Sequence, residues 1–430
     1  MLIPLSTFLS LPLLLTLPAS PGTPARDAAG DAAGSAVRVL LVDIDDMGFD
    51  LLRATPTPNL DWLEANGRFF THFTTSPVCA PTRAMVNVGA FPSHPDLLLG
   101  SNPGFGDSYS MPISPLEPLA SVISGAGYST AKVGKWHLAP EADPTHPLRC
   151  GWQEYHGALG NLGEGSLKKT YYNYNKWRNG IGMRVGDRYL TTDESNDAIA
   201  LLRSRVDLVY LSYHAPHAPL HEPPPALHSI PDTTSNFDKT RAMLSACDTE
   251  FGRVLAEAIA GGYHVIVFGD NGTASGIGGG KGSLFDEGIV NPCWAIGPTF
   301  APGLDETRVS ATDLYDTVAE LFSVDASSPT RGPHSSSFLR SLRGAVDYRR
   351  WTYSERFGGL GVDPRTGPFP WRQAIRGQRF KLIRNEVLLS DRLFDLVADP
   401  DENFNLLNAP ALSAPAQLAY DHFQVVLDRL

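Results

Sequence analysis

Four short apolar runs, each stopping at a polar cluster, constrain this chain more than any other feature. Val37-Arg38-Val39-Leu40-Leu41-Val42 leads into Asp43-Ile44-Asp45-Asp46, and Thr130-Ala131-Lys132-Val133 leads into Gly134-Lys135-Trp136-His137-Leu138. Val206 to Tyr213 ends in His214-Ala215-Pro216-His217, and Tyr263 to Phe268 ends in Gly269-Asp270-Asn271-Gly272. Short runs rich in β-branched residues and bounded by turn formers suit strands of a parallel sheet buried on both faces. Between them apolar residues return at helical spacing, around 59–67, 115–126, 193–203 and 239–259; Met243, Leu244, Cys247, Phe251, Val254 and Leu255 share one face of the last. Strands alternating with helices predict an α/β fold, a mostly parallel central sheet flanked by helices. Ligands collect at the carboxyl ends of strands in such sheets, and that is where the four polar clusters fall.

From about residue 346 the texture changes. Short strand-like pieces at 373–376, 379–384 and 392–396, then a helical stretch near 413–428, predict a small C-terminal α+β subdomain carrying an antiparallel sheet. At the other end, residues 2–17 are almost entirely apolar and small residues follow at Ala19-Ser20, which reads as a secretory signal over 1–20. Residues 21–36 read as a disordered leader. The expected organisation is therefore signal, leader, a main domain over 37–345 and the subdomain over 346–430. No other stretch is long and apolar enough to span a bilayer, so an exported protein is expected, periplasmic or extracellular, with no stable membrane span.

A net charge of −11 argues against general nucleic-acid binding and leaves room for a locally cationic site. Four cysteines (79, 150, 247 and 293) are too few for a disulfide framework in 430 residues.

Asp45, Asp46, Asp270 and Asn271 place four hard oxygen donors at two strand exits, a set that suits Ca²⁺ or Mg²⁺ and not zinc. Calcium is the expected ion for an all-protein oxygen cage in an exported chain. Lys135 and His137 lie two apart after a strand and point the same way if extended geometry continues. With Arg83, His217 and Lys281 they make a cationic set facing the metal, as a tetrahedral oxyanion with a developing negative leaving group requires. His214 reads as structural. Cys79 precedes a proline turn, Cys79-Ala80-Pro81-Thr82-Arg83.

These segments, in this order, resemble the formylglycine-dependent sulfatases of the alkaline phosphatase superfamily. The likeness is carried by Asp45-Asp46, Cys79 to Arg83, Gly134-Lys135-Trp136-His137, Ala215-Pro216-His217-Ala218-Pro219, and Asp270-Asn271-Gly272 through Lys281-Gly282; Lys381-Leu382-Ile383 and Leu393-Phe394-Asp395-Leu396 match the family's C-terminal sheet. The resemblance runs from 37 to about 407 and makes 37–345 the catalytic domain. It implies that a formylglycine-generating enzyme oxidises Cys79 and that the hydrated aldehyde attacks sulfur, giving a covalent sulfo-enzyme intermediate. It further implies that His217, with Lys281, serves the leaving oxygen and that His137 takes the proton that expels sulfate. Arg83 and Lys135 then hold the hydrate and the sulfate oxygens. Asp45, Asp46, Asp270, Asn271 and the converted Cys79 ligate one calcium ion. The implied substrate is a sulfate ester, most simply of a sulfated carbohydrate. A phosphodiesterase or phosphonate monoester hydrolase on the same scaffold is the first alternative, and a catalytically silent binder of sulfated glycans the second.

The family's usual Leu-Thr-Gly-Arg after the cysteine motif is Asn87-Val88-Gly89-Ala90 here, and Asp286-Glu287-Gly288-Ile289-Val290-Asn291-Pro292 replaces the common Glu-Gly-Gly-Ile-Arg-Val-Pro. The aromatic group Tyr171, Tyr172, Tyr174 and Trp177 suits either a sugar-stacking wall or packing.

Overall fold

The first apolar run becomes the strand at the centre of the molecule, buried at all six positions. The computed structural model describes residues 37–430 apart from 105, 164–169, 326–327, 347–348, 369 and 386–389. The signal expected at 1–20 and the leader expected at 21–36 lie outside the described residues. In chain order the main sheet contains β1 (Val39–Ile44), β2 (Arg68–Thr74), β3 (Thr130–Gly134), β4 (Glu154–Gly157), β5 (Tyr174–Arg178), β6 (Ile181–Val185), β7 (Leu208–Tyr213), β8 (His264–Gly269), β9 (Val290–Ile296), β10 (Gly303–Asp305) and β11 (Val309–Ser310). Across the sheet the order is β10-β2-β9-β8-β1-β7-β3-β4-β5-β6, with β11 beside β2. The middle, β8-β1-β7-β3-β4, is parallel, as expected.

Side chains alternate across β1, so one strand feeds two cores. Val39 and Leu41 join the layer built on the helices Cys79–Val88, Leu119–Gly125 and Asp313–Leu321. Leu40, Val42 and Ile44 join the opposite layer, under the helices Leu190–Arg203 and Asn236–Ala260. The parallel centre is thus covered on both faces, which is why its strands read as unbroken apolar runs.

Two local expectations change. Residues 139–190, whose sequence has the texture of a loop-rich stretch, contain the antiparallel hairpin β5–β6. The proline turn at Cys79 is the first turn of the helix Cys79–Val88, where Pro81 is tolerated because first-turn N–H groups have no intrahelical acceptor. That helix ends at Gly89, which takes φ +60 and donates its N–H to Met85 O at 2.8 Å. Glycine within the altered run Asn87–Ala90 therefore serves as a left-handed cap.

The C-terminal sheet holds β12 (Thr352–Arg356), β13 (Arg372–Arg376), β14 (Phe380–Asn385) and β15 (Arg392–Asp395), paired antiparallel in that order. The helix Ala414–Leu427 buries Ala416, Phe423 and Leu427 with Ile375, Leu382 and Leu393 of this sheet. Asp286 ties the two sheets together, accepting from Arg376 Nε and Lys381 Nζ at 2.8 Å each. All of Val37–Leu430 falls in one compact unit. Among the described residues no helix is long and apolar enough to cross a membrane.

Candidate active site

β1, β8, β7 and β3 end side by side, so their exit residues meet above one edge of the sheet. Asp45 and Asp46 follow β1, and Asp46 takes a left-handed φ of 61. Its backbone N–H donates to Asp270 Oδ1 at 3.1 Å, which joins the β1 and β8 exits. Asn271 Nδ2 donates to Asp46 Oδ1 at 2.8 Å, while Asn271 Oδ1 is buried with no partner among the described residues. The helix Cys79–Val88 delivers Cys79 to the same point. Its thiol donates to Asp45 Oδ1 at 3.3 Å and accepts from Lys281 Nζ at 3.1 Å. Ala80 N donates to Asn102 Oδ1 at 2.9 Å, which anchors the helix's first turn.

Every cation predicted for the site reaches it. Lys135 is fully buried and paired to Asp45, and Lys281 is paired to Asp46. Arg83 bridges Asp43 Oδ2 at 2.7 Å and Asp270 Oδ2 at 2.8 Å and also contacts Lys135 O at 3.3 Å. Its guanidinium is therefore held chiefly by protein carboxylates. Lys135 and His137 arrive by a different route from the expected one. β3 stops at Gly134, φ 82, and His137 itself takes φ 62, so the chain curls instead of continuing extended. Both ring nitrogens of His137 are buried without a partner among the described residues, which leaves its hydrogen-bonding capacity to a bound molecule. His217 Nδ1 lies 2.8 Å from Ala218 O, which accepts its proton and leaves Nε2 facing the cluster. His214 is structural, paired through Nδ1 to Glu194 at 2.6 Å.

Burial dominates the electrostatics. It pushes the Cys79 thiol up, with Asp45 adding to the effect against Lys135 and Lys281, so the unmodified thiol stays protonated and weakly nucleophilic. Burial and then Lys135 and Arg83 hold His137 well below the usual imidazole range. Burial also opposes ionisation of Asp45, but Lys135, His217, Arg83 and Lys281 outweigh it and keep this carboxyl well below the usual range.

One ligand atom each from Asp45, Asp46, Cys79 and His217 lies within 4.8 Å of the others. With Asp270 and the free Asn271 oxygen beside them, the donor set is dominated by hard oxygens and fits a divalent cation of the calcium or magnesium kind.

Behind Arg83 lies a network the motifs did not mark. Lys132 Nζ donates to Ser212 Oγ, which donates to Asp43. Lys132 also sits 3.5 Å from the centre of the Tyr210 ring. Register explains it, since Asp43 of β1 faces Ser212 of β7 and Lys132 of β3 faces Tyr210. The available signal was a lysine and an aspartate inside otherwise apolar strands. The aromatic group divides. Tyr171 and Tyr174 are buried, with Tyr171 Oη lying 2.8 and 2.7 Å from the His214 and His217 carbonyls, while Tyr172 is 40% exposed. All four cysteines are buried and free.

The sulfatase family model matches residues 38–324, two-thirds of the chain and every site segment above. The chain belongs to the sulfatase family. It is a sulfuric ester hydrolase, similar to arylsulfatase A of Bos taurus, with 27% identity over 91% of this chain and 87% of that one. Among solved structures, Ps i-CgsB in complex with k-i-k-neocarrahexaose superposes with a TM-score of 0.74 at 21% identity, covering 86% of this sulfatase and 89% of that chain. BT4656 in complex with its substrate D-glucosamine-2-N,6-O-disulfate superposes at 0.68 with 17% identity, covering 91% and 96%. These likenesses establish the alkaline-phosphatase-like fold of the sulfatase.

Proposed function

We propose that this sulfatase is exported and cleaves sulfate esters of a carbohydrate, using Cys79 after a modifying enzyme has oxidised it to formylglycine. Residues 37–345 form the catalytic domain in this reading, and 346–430 the C-terminal subdomain. The observation that carries it is the setting of Cys79, its sulfur held between Asp45 and Lys281 in a site with an unpartnered His137. Burial weakens the acidity of the thiol, and a thiol offers no second hydroxyl through which sulfate could be eliminated. A hydrated aldehyde at this position would supply one hydroxyl to attack sulfur and a second through which sulfate is eliminated. One calcium ion, held by Asp45, Asp46, Asp270, Asn271 and an oxygen on the converted residue 79, would supply positive charge opposite the ester.

The chain's own groups then divide the proton work. His217, with Nδ1 committed to the Ala218 carbonyl, turns Nε2 to the departing alcohol oxygen, and Lys281 stabilises the charge developing there. His137, kept uncharged by burial and by Lys135, accepts the proton released on elimination. Lys135 holds sulfate oxygens. Arg83, anchored by Asp43 and Asp270, fixes the loop around them. The carbohydrate assignment is supported by the solved relatives bound to saccharides.

The test is mass spectrometry of the peptide spanning Cys79 from protein made in its native host, with parallel rates on aryl sulfate and aryl phosphate. Aldehyde at residue 79 with faster sulfate release is expected. Unmodified cysteine throughout would overturn the formylglycine mechanism, and a phosphate preference would overturn the substrate class.

A further inference from the structure

The first and second strands of the C-terminal sheet place two arginines directly opposite each other. In the antiparallel register of β12 and β13, Arg356 faces Arg372. Like charges at opposed positions repel, and burial followed by Arg372 lowers the proton affinity of Arg356. Both are half-buried, and Arg356 Nη1 and Arg372 Nε are shielded from water with no hydrogen-bond partner among the described residues. The acids nearest in sequence are committed elsewhere. Glu355 accepts from Ser93 N, Trp371 Nε1 and Tyr353 Oη, and Asp363 pairs with Arg365 at 3.3 Å. Guanidinium N–H groups shielded from water are ordinarily paired, and no described residue pairs with these two.

The location of the two arginines says what partner fits them. A side chain starting at Gly282 would meet Arg356 Nη1 at 3.4 Å, and Gly282 N donates to Pro77 O at 2.8 Å. Gly282 directly follows Lys281, whose amine touches Cys79. On the same strand, Ser354 donates to Thr75 O at 2.8 Å, securing the segment that leads to Cys79. Arg356 therefore lies beside Gly282, one residue beyond the lysine that touches Cys79, and Arg372 stands opposite it on the neighbouring strand.

We propose that Arg356 and Arg372 form an anion subsite for a second negatively charged group on the substrate, an oxyanion (sulfate or carboxylate) carried beside the ester that is cleaved. The inference rests on the sulfatase reading and narrows its substrate to polyanionic esters. Two adjacent guanidiniums offer parallel N–H donors matched to such a group, and occupation would relieve their mutual repulsion.

The experiment compares wild type with Arg356→Gln/Arg372→Gln on 4-nitrophenyl sulfate, N-acetylglucosamine 6-sulfate, glucosamine 2-N,6-O-disulfate and a 6-sulfated disaccharide bearing a uronate. For the last two, a KM or competition constant against 4-nitrophenyl sulfate weakened roughly 10–100-fold is expected, the scale for charge-assisted hydrogen bonds. Values for the two singly charged esters stay unchanged. Loss on the disulfate alone assigns the subsite to sulfate, and loss on the uronate alone assigns it to carboxylate. Equal losses on all four probes, or none on any, would overturn the proposal. If wild type hydrolyses no ester, the proposed substrate class and mechanism fail separately, and calorimetric binding of the disulfate to the two proteins still decides the subsite. The melting temperature of the double variant should equal or exceed wild type, because neither arginine has a hydrogen-bond or ion-pair partner among the described residues.

Discussion

At the carboxyl end of the main sheet charged groups interlock. Arg83 is held by Asp43 and Asp270, Lys135 by Asp45, Lys281 by Asp46, and Lys132 by Ser212 on Asp43. In the C-terminal sheet, Arg356 and Arg372 oppose each other with no protein partner among the described residues. The first region is preorganised before any ligand arrives, as transition-state stabilisation requires. The second is complete only when something anionic is added. Reaction and recognition are thus built from opposite treatments of charge on two sheets.

The contrast can be broken at several points. Cys79→Ala should reduce kcat on an aryl sulfate by about 10³-fold or more, since the proposed mechanism draws its nucleophile from this residue, while calorimetric binding of a disulfated saccharide persists. Equal loss of binding would show that the two regions are not separable. Removing the metal with a chelator should lower kcat by about 10²-fold or more and restore it on calcium addition. Failure of calcium to restore activity would exclude it as the ion. Lys132→Met removes a buried donor to Ser212 and should cost about 1–3 kcal/mol in denaturant unfolding, as leaving one partner of a buried hydrogen bond unsatisfied does, whereas Arg356→Gln should cost nothing measurable. Similar losses for both would erase the distinction between paired and unpaired charge.

A further effect concerns a third treatment, a group kept neutral. His334 Nδ1 accepts from Phe91 N at 2.9 Å, its ring stacks on Phe91, and His94 lies 5.6 Å away. Burial and then His94 lower its pKa from 6.5 to about 4. Between those values the unfolded chain binds a proton that the folded one refuses. Its contribution to stability is therefore full above pH 6.5 and fades as pH falls towards 4. Thermal unfolding of His334→Asn should show a shallower pH dependence over that window, and an unchanged slope would assign the acid sensitivity to other groups.

How much of this was legible depends on how the contacts are encoded. Asp45, Asp46, Asp270 and Asn271 could be read because each directly follows an apolar run, so local pattern already places it at a strand exit. Arg356 opposite Arg372 could not, because the match depends on an antiparallel register across the intervening loop. Asp43, Ser212 and Lys132 meet through the strand order β1-β7-β3, which no short window contains. The hairpin β5–β6 hid because Asn175, Lys176 and Arg178 on one strand, and four exposed residues on the other, break the apolar alternation. The turn at His137 depends on left-handed backbone that a lysine–tryptophan–histidine sequence does not announce.

The depth at which Cys79 sits carries a consequence for timing. The residue has no accessible surface, and the helix it opens is buried from end to end. Its cover includes β1 laid against β7 and β8, partners that come from far along the chain and are slow to find one another because long loops must close first. An enzyme that oxidises this cysteine must reach it while those strands are still apart. On the proposed mechanism, the yield of converted protein is set by a race between modification and sheet closure, and changes that speed folding would lower it without touching the site.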